Sequence, residues 1–407
     1  MNYFRLNILW IPILIFLVLS GCDDQTEPYI PPDNPDDRPP VEEVICHVRA
    51  KEVFDLINQY YSATSGGLLN ESFPVRSGDP DISYLWPFVG YVDGAAMLAK
   101  TGYEIGYTSI VDNYEKYFSV GAHNNSIGAY SSATNGQVGQ GTRFYDDNAI
   151  VGLSLLEAYE ITSDEKYLTR AERIVPFLKT GEDDDFGGGI WWNEDQIYNP
   201  TADSDKGISS NGYAALFYLK LYQYSDNSQQ RAELLSSAKR LYEWTRTTFY
   251  DSGNQTYANS IDANGNINTT RWTYNSGVMV QVGVDLYKIT AEQRYLNEAI
   301  VSAQGAYDYF VKPRNGLALS FPDHDPWFNT KLLDAYVDLE PYYETAGSYI
   351  DNYRKFINHG YENARTTEGF FYEDWTGASP KRSWSLLMQV SVVESYGALS
   401  LFYDEDF

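Results

Sequence analysis

The sequence predicts an all-α fold, an (α/α)6 barrel of alternating inner and outer helices with long loops at one end. Three observations predict it. A helix–turn–helix signature recurs, 156–168 being matched by 284–296, with weaker copies at 98–101 and 221–225. Its equivalent positions Leu98, Tyr159, Tyr222 and Tyr287 stand 61, 63 and 65 residues apart, a period that fits about six times into 41–407. Two kinds of helical pattern alternate along that stretch, and the connections between them are short in one direction and long in the other.

In chain order, 44–62 is amphipathic and predicts the first outer helix. Segment 86–100, apolar on most sides with Gly90 and Gly94, predicts the first inner one. The alternation continues with outer 105–120, inner 147–161 and outer 165–179, whose Lys166, Arg170 and Arg173 mark a solvated face. Then come inner 211–225, outer 229–249, inner 275–290, outer 292–312, inner 327–343, outer 344–364 and inner 384–402. Glycine lowers helix propensity, so Gly152, Gly212, Gly277, Gly283 and Gly397 in the inner set argue for close helix–helix approach. Inner-to-outer turns such as 162–164 and 226–228 are short; outer-to-inner connections such as 119–145, 180–210 and 251–273 are long. Long connections in a compact domain carry function. In an alternating ring all inner helices start at the same end, so these loops open onto one mouth.

Ahead of the barrel, Arg5 and the apolar run 8–19 read as an export signal too short to span a bilayer. The run ends in Leu19-Ser20-Gly21-Cys22, which resembles a bacterial lipoprotein cleavage box and makes Cys22 the expected lipidation site. Residues 22–40, rich in Pro and acidic side chains, read as an extended tether. This organisation predicts an exported outer-membrane lipoprotein held to the membrane through its lipid alone. With Cys22 lipidated, Cys46 has no disulfide partner.

A net charge of −27 disfavours nucleic acid and polyanionic ligands. Four His with no shared helix face, and acidic loops at 203–205 and 262–265 without a closing Glu, argue for turns and against metal; no cofactor is expected. The 36 Tyr and 9 Trp suit sugar stacking, although most such rings serve helix packing.

The chemistry is expected at Asp146 and Asp147, adjacent at the start of the second inner helix. Glycoside cleavage needs one carboxyl group to protonate the departing oxygen and a second to attack the anomeric carbon or activate water. Consecutive residues bring carboxylates to the short separation that goes with retention. N-capping is the alternative role for such an aspartate. Ser210, Asn211 and Asn275 begin other inner helices as caps or cleft residues, Trp191 and Trp192 follow a Gly-rich loop, Trp86 and Trp384 open two further inner helices, and Asp183, Asp184 and Asp185 read as a solvated turn.

Tyr84-Leu85-Trp86-Pro87, Arg143-Phe144-Tyr145-Asp146-Asp147-Asn148, Gly187-Gly188-Gly189-Ile190-Trp191-Trp192, Ile208-Ser209-Ser210-Asn211-Gly212 and Trp272-Thr273-Tyr274-Asn275-Ser276-Gly277 together resemble glycoside hydrolase family 76, the bacterial endo-α-1,6-mannanases. Phe370-Phe371-Tyr372-Glu373-Asp374-Trp375 and Ser385-Leu386-Leu387-Met388-Gln389 extend the resemblance over nearly all of 41–407. It implies retaining cleavage of α-1,6-mannan, with Asp146 as nucleophile and Asp147 as acid/base. Expected sugar contacts are Arg143, Tyr145, Asn148, Trp191, Trp192, Asn211, Tyr274 and Asn275. Ser276 departs from the family pattern, where Gln is expected, which bears on sugar preference at one subsite. The expected partners are α-mannan or its oligosaccharides and glycan-uptake machinery. A transglycosylase on the same fold, or a glycan-binding lipoprotein without turnover, are the rival readings.

Overall fold

The computed structural model describes residues 46–63, 66–120, 126–323, 325–380 and 384–403. The export segment, Cys22, the tether, His123 and His324 lie outside the described residues. Six inner helices are present among them: α2 (Leu85–Lys100), α4 (Tyr145–Thr162), α8 (Ile208–Tyr224), α10 (Thr273–Thr290), α12 (Pro326–Leu339) and α14 (Leu386–Phe402). The outer layer holds α1 (Cys46–Tyr60), α3 (Tyr107–Asp112), α5 (Glu165–Glu172), α6 (Val175–Thr180), α9 (Ser228–Phe249), α11 (Gln293–Phe310) and α13 (Thr345–Asn363). A short α7 (Glu194–Tyr198) sits in a connecting loop.

The two layers differ as their sequences require. In α14 every residue from Leu386 to Ser400 is buried, the signature of a helix surrounded on all sides. In α9 the buried set Leu234, Ala238, Leu241, Tyr242, Trp244, Thr245 and Phe249 keeps mostly to one side, and the charged residues lie outside it. Small residues let the inner helices meet. A Cβ on Gly277 of α10 would lie 2.6 Å from the carbonyl oxygen of Lys331 in α12. Phe217 of α8 fills the space over Gly152 of α4 in the same way. The ring runs on through Lys100–Glu157 between α2 and α4 (2.5 Å) and Lys331–Glu394 between α12 and α14 (2.6 Å). It closes where Val393 of α14 packs on Gly94 of α2. The barrel expectation is met.

Two outer helices differ from expectation. The 165–179 pattern is split into α5 and α6, because Pro176 lacks the N–H that would continue the ladder. The 105–120 pattern ends early: α3 tightens into a 3-10 turn, Asn113–Lys116, and then strand Phe118–Val120, which pairs antiparallel with Gly128–Tyr130. The long loops carry such ladders instead of being structureless. Asp205–Gly207 pairs with Ser260–Asp262, which also pairs with Ile267–Asn268. Ser72–Phe73 pairs with Trp384–Ser385, tying the loop before α2 to the one before α14.

Candidate active site

Inner-helix starts converge on a cavity of about 740 Å³. The residues preceding α2, α4, α8, α10 and α14 (Tyr84, Phe144, Gly207, Trp272 and Ser385) place no side-chain cap on those helices. Loop carbonyls of Ser132, Trp192, Asn259 and Glu71 accept the first N–H of α2, α4, α8 and α14 instead, and the helix dipoles point their positive ends at the mouth. Asp146 and Asp147, second and third residues of α4, both line this cavity.

Their surroundings differ. One oxygen of Asp146, Oδ2, accepts the indole N–H of Trp192 at 3.0 Å; the other, Oδ1, accepts the backbone N–H of Asp147 at 3.0 Å. The Ser209 side chain, also on the cavity wall, further favours the ionised form of this carboxylate. Burial raises the Asp146 pKa to about 6, and these hydrogen bonds hold it from rising further. Among the described residues Asp147 has no comparable donors. Burial first, and the charge of Asp146 second, push its pKa well above the usual carboxylate range. The pair thus combines a solvated-by-protein carboxylate with a neighbour that keeps its proton, the division of labour an acid-assisted displacement requires.

Trp192 is fixed from several sides. Its carbonyl accepts the N–H of Tyr145 and its own N–H reaches the carbonyl of Asp205, both at 3.0 Å. Its ring lies 4.8 Å from that of Phe144 and stays 42% exposed at the cavity. Tyr274 also lines the cavity, its ring 4.4 Å from Phe328 and its hydroxyl donating to Asn259.

Six expected sugar contacts do not line the cavity, and the structure shows why. Arg143 is buried and makes a two-pronged ion pair with Glu194 (2.6 and 2.7 Å). Tyr145 stacks on Phe177, its hydroxyl against Thr180. The Asn148 side chain pairs with both backbone groups of Tyr130 (2.8 and 2.9 Å), and Asn211 does the same to Ile190 (2.7 and 3.0 Å). Asn275 is buried and donates to Asn259. Trp191 is buried, its indole N–H on Asp183 at 2.7 Å. These residues build the wall. Asp183 is likewise more than a solvated turn, since it also accepts from the fully buried Lys206 at 2.5 Å. Trp86 reaches the cavity, whereas Trp384 stacks on Phe370.

Sequence reasoning missed other lining residues. Asp203 and Asp205, read as a turn, face the cavity, as do Glu71, Ser209 and the floor residue Trp327. The ring of Trp327 is held by its N–H to Glu394 (3.1 Å). Ser209 could have been found from its neighbour Ser210 at the same helix start; Glu71 carries no local signal. Among the described residues no Lys, Arg or His lines the cavity, and its carboxyl groups favour an uncharged ligand over an anionic one.

Comparison with known proteins bears on this site. The family model of glycosyl hydrolase family 76 matches residues 45–394. A mannan endo-1,6-alpha-mannosidase of Candida albicans is 26% identical over 293 residues, 65% of this chain and 56% of the relative. One from Candida glabrata is 30% identical over 161 residues, 36% and 34% of the two chains. The chain thus spans about half or less of the length of these curated relatives. Among solved structures, a family 76 glycoside hydrolase (mannosidase) from Bacteroides thetaiotaomicron superposes with a TM-score of 0.77 at 24% identity, covering 88% of this chain and 100% of that one. An inactive variant of an α-1,6-mannanase from a Salegentibacter species, in complex with α-1,6-mannotriose, gives a TM-score of 0.69 at 22% identity, covering 88% and 99%. At these identities the structural likeness concerns the fold.

Proposed function

Since the chain belongs to glycosyl hydrolase family 76, we propose that it is a retaining, endo-acting hydrolase of α-1,6-mannosidic bonds in mannan. The names of the Candida relatives and the mannotriose held by the Salegentibacter protein support the substrate. The observation that carries the mechanism is the asymmetry of the aspartates: Asp146 is surrounded by donors, and Asp147 is not.

In this reading the ionised Asp146 attacks C1 of the mannosyl unit at the cleavage point. The bond from C1 to the 6-oxygen of the next sugar breaks, and Asp147 gives its proton to that oxygen. Asp146 is then esterified and no longer negative, so its repulsion, the second cause of the raised Asp147 pKa after burial, is gone and Asp147 can remain ionised. A water molecule loses its proton to Asp147 as its oxygen attacks C1, and the ester bond from C1 to Asp146 breaks, returning its electron pair to the carboxylate. The product leaves with its original anomeric configuration, and both carboxyl groups return to their starting states.

Asp146→Asn and Asp147→Asn should each stop release of reducing ends from α-1,6-mannan. The roles separate on an aryl mannoside with a good leaving group. Asp147→Asn, which costs roughly a hundred- to ten-thousandfold on mannan, should still form the glycosyl ester and turn over when azide is added. Asp146→Asn should not. Full activity on mannan in either variant would refute the role given to that residue.

For the whole chain we propose export and attachment to the outer membrane through lipid on Cys22, a reading supported by the apolar run 8–19 and the cleavage box that follows it.

A further inference from the structure

Glu71 is a cavity-lining carboxyl group that the two-aspartate mechanism leaves unused. Its position is fixed by the backbone. Its carbonyl accepts the N–H of Leu386 at 2.8 Å, and the next two residues form the ladder with Trp384–Ser385. It therefore stands where the starts of α2 and α14 meet. The donors on Asp146 come instead from the loop residue Trp192 and from the backbone N–H of Asp147 in α4.

The side chain is held as firmly. Oε2 of Glu71 accepts the backbone N–H of Tyr84 at 3.0 Å. Among the described residues no cation forms an ion pair with it: nearby Arg76 pairs with Asp79. Tyr84, whose N–H it accepts, is exposed at the cavity, and half-buried Trp86 lines the same cavity, packed on Trp327 and Phe328. A half-buried carboxylate with one oxygen fixed, no ion-pair partner among the described residues, the charge of Arg76 acting on it only without contact, and an aromatic-lined wall in the same cavity is an incomplete arrangement. A neutral hexose would complete it. The apolar face of the ring packs on the aromatic wall, and hydroxyl groups donate to the carboxylate without bringing a charge into the cavity.

We infer that Glu71 is a specificity-determining residue of a sugar subsite at the junction of α2 and α14, where it accepts hydrogen bonds from the hydroxyl groups of a neutral hexose of the bound chain. This rests on the mannan-hydrolase reading and adds a recognition point away from the reacting pair. Burial, which raises the Glu71 pKa to about 7, is consistent with a group awaiting donors.

Calorimetric titration with α-1,6-mannotetraose tests it, using the inactive Asp146→Asn/Asp147→Asn double variant as reference. Adding Glu71→Gln, which preserves side-chain size and an acceptor for the Tyr84 amide, should raise Kd roughly ten- to a hundredfold. Glu71→Asp, which keeps the charge but withdraws it by one methylene, should fall between the two. Melting temperatures close to the reference should accompany both. An unchanged Kd in the Glu71→Gln variant overturns this inference and leaves the proposed function standing. Loss of affinity together with a lowered melting temperature in both Glu71 variants assigns the residue to the frame and also overturns it. A reference protein that binds no mannotetraose overturns the inference and the mannan reading together.

Discussion

Trp192 supplies one N–H to Asp146, one of several groups that hold down the nucleophile's pKa against the effect of burial. Burial alone favours the neutral acid; each donor aimed at the carboxylate favours the charged one. Trp192→Phe keeps the ring against Phe144 and removes only the donor. The pKa of Asp146, now about 6, should then rise further. The sign follows directly: an ionised nucleophile is present above its pKa, so the acid limb of the kcat/KM profile should move to higher pH. The expected displacement is about one pH unit, the equivalent of one hydrogen bond to a charged group. Activity lost at pH 6 should be partly recovered at pH 8. An acid limb that stays in place would detach Trp192 from the nucleophile.

Amides at the inner-helix starts follow a common rule at the scale of elements. Asn148, Asn211, Asn329 and Gln389 are each the fourth residue of an inner helix. Asn148, Asn211 and Gln389 each bracket one loop residue, accepting its N–H and donating to its C=O, at Tyr130, Ile190 and Phe371 respectively. Asn329 donates to the carbonyl of Pro322. A side-chain amide carries one donor face and one acceptor face, so it can stand in for a neighbouring strand. The Ile190 bracket holds the loop two residues before Trp192. Asn211→Ala should leave the buried Ile190 backbone groups unpaired, at a cost of about 2–4 kcal/mol in a chemical or thermal melt. It should also lower kcat, although Asn211 does not line the cavity. A stable variant with unchanged kcat would show that the Trp192 loop does not depend on this bracket.

The whole molecule places an acidic mouth on a barrel with charge in its centre. Lys331 contacts Glu394 at 2.6 Å, Asp334 at 3.6 Å and Asp93 at 3.8 Å, joining α2, α12 and α14 beneath the Trp327 floor. Such groups are costly to bury, and they hold only where helices keep their register. With a net charge of −27, the protein as a whole disfavours anionic polymers, which is compatible with the neutral glycan proposed as substrate. At this scale the proposed anchor is testable. Cells fed labelled palmitate should label the full chain, and Cys22→Ser should remove the label and release the protein from the membrane fraction. Equal labelling in the variant would rule Cys22 out.

The sequence by itself determined the ring. Repeat period, alternating helix types and unequal loop lengths are local properties, and each survives in the structure because a buried helix must be apolar all round. It also put Asp146 and Asp147 at the mouth, since helix direction in an alternating ring fixes which end they occupy. Only the tertiary structure decided which polar residues face the cavity. Asn148 and Asn211 read from sequence like cleft residues, yet their amides turn to loop backbone that would otherwise be buried unpaired. Glu71 gave no signal, because its place depends on pairing Ser72–Phe73 with Trp384–Ser385 from the opposite end of the barrel domain. The direction of a polar side chain is set by whichever unmet hydrogen-bonding group lies nearest in space, and that neighbour is not adjacent in the chain.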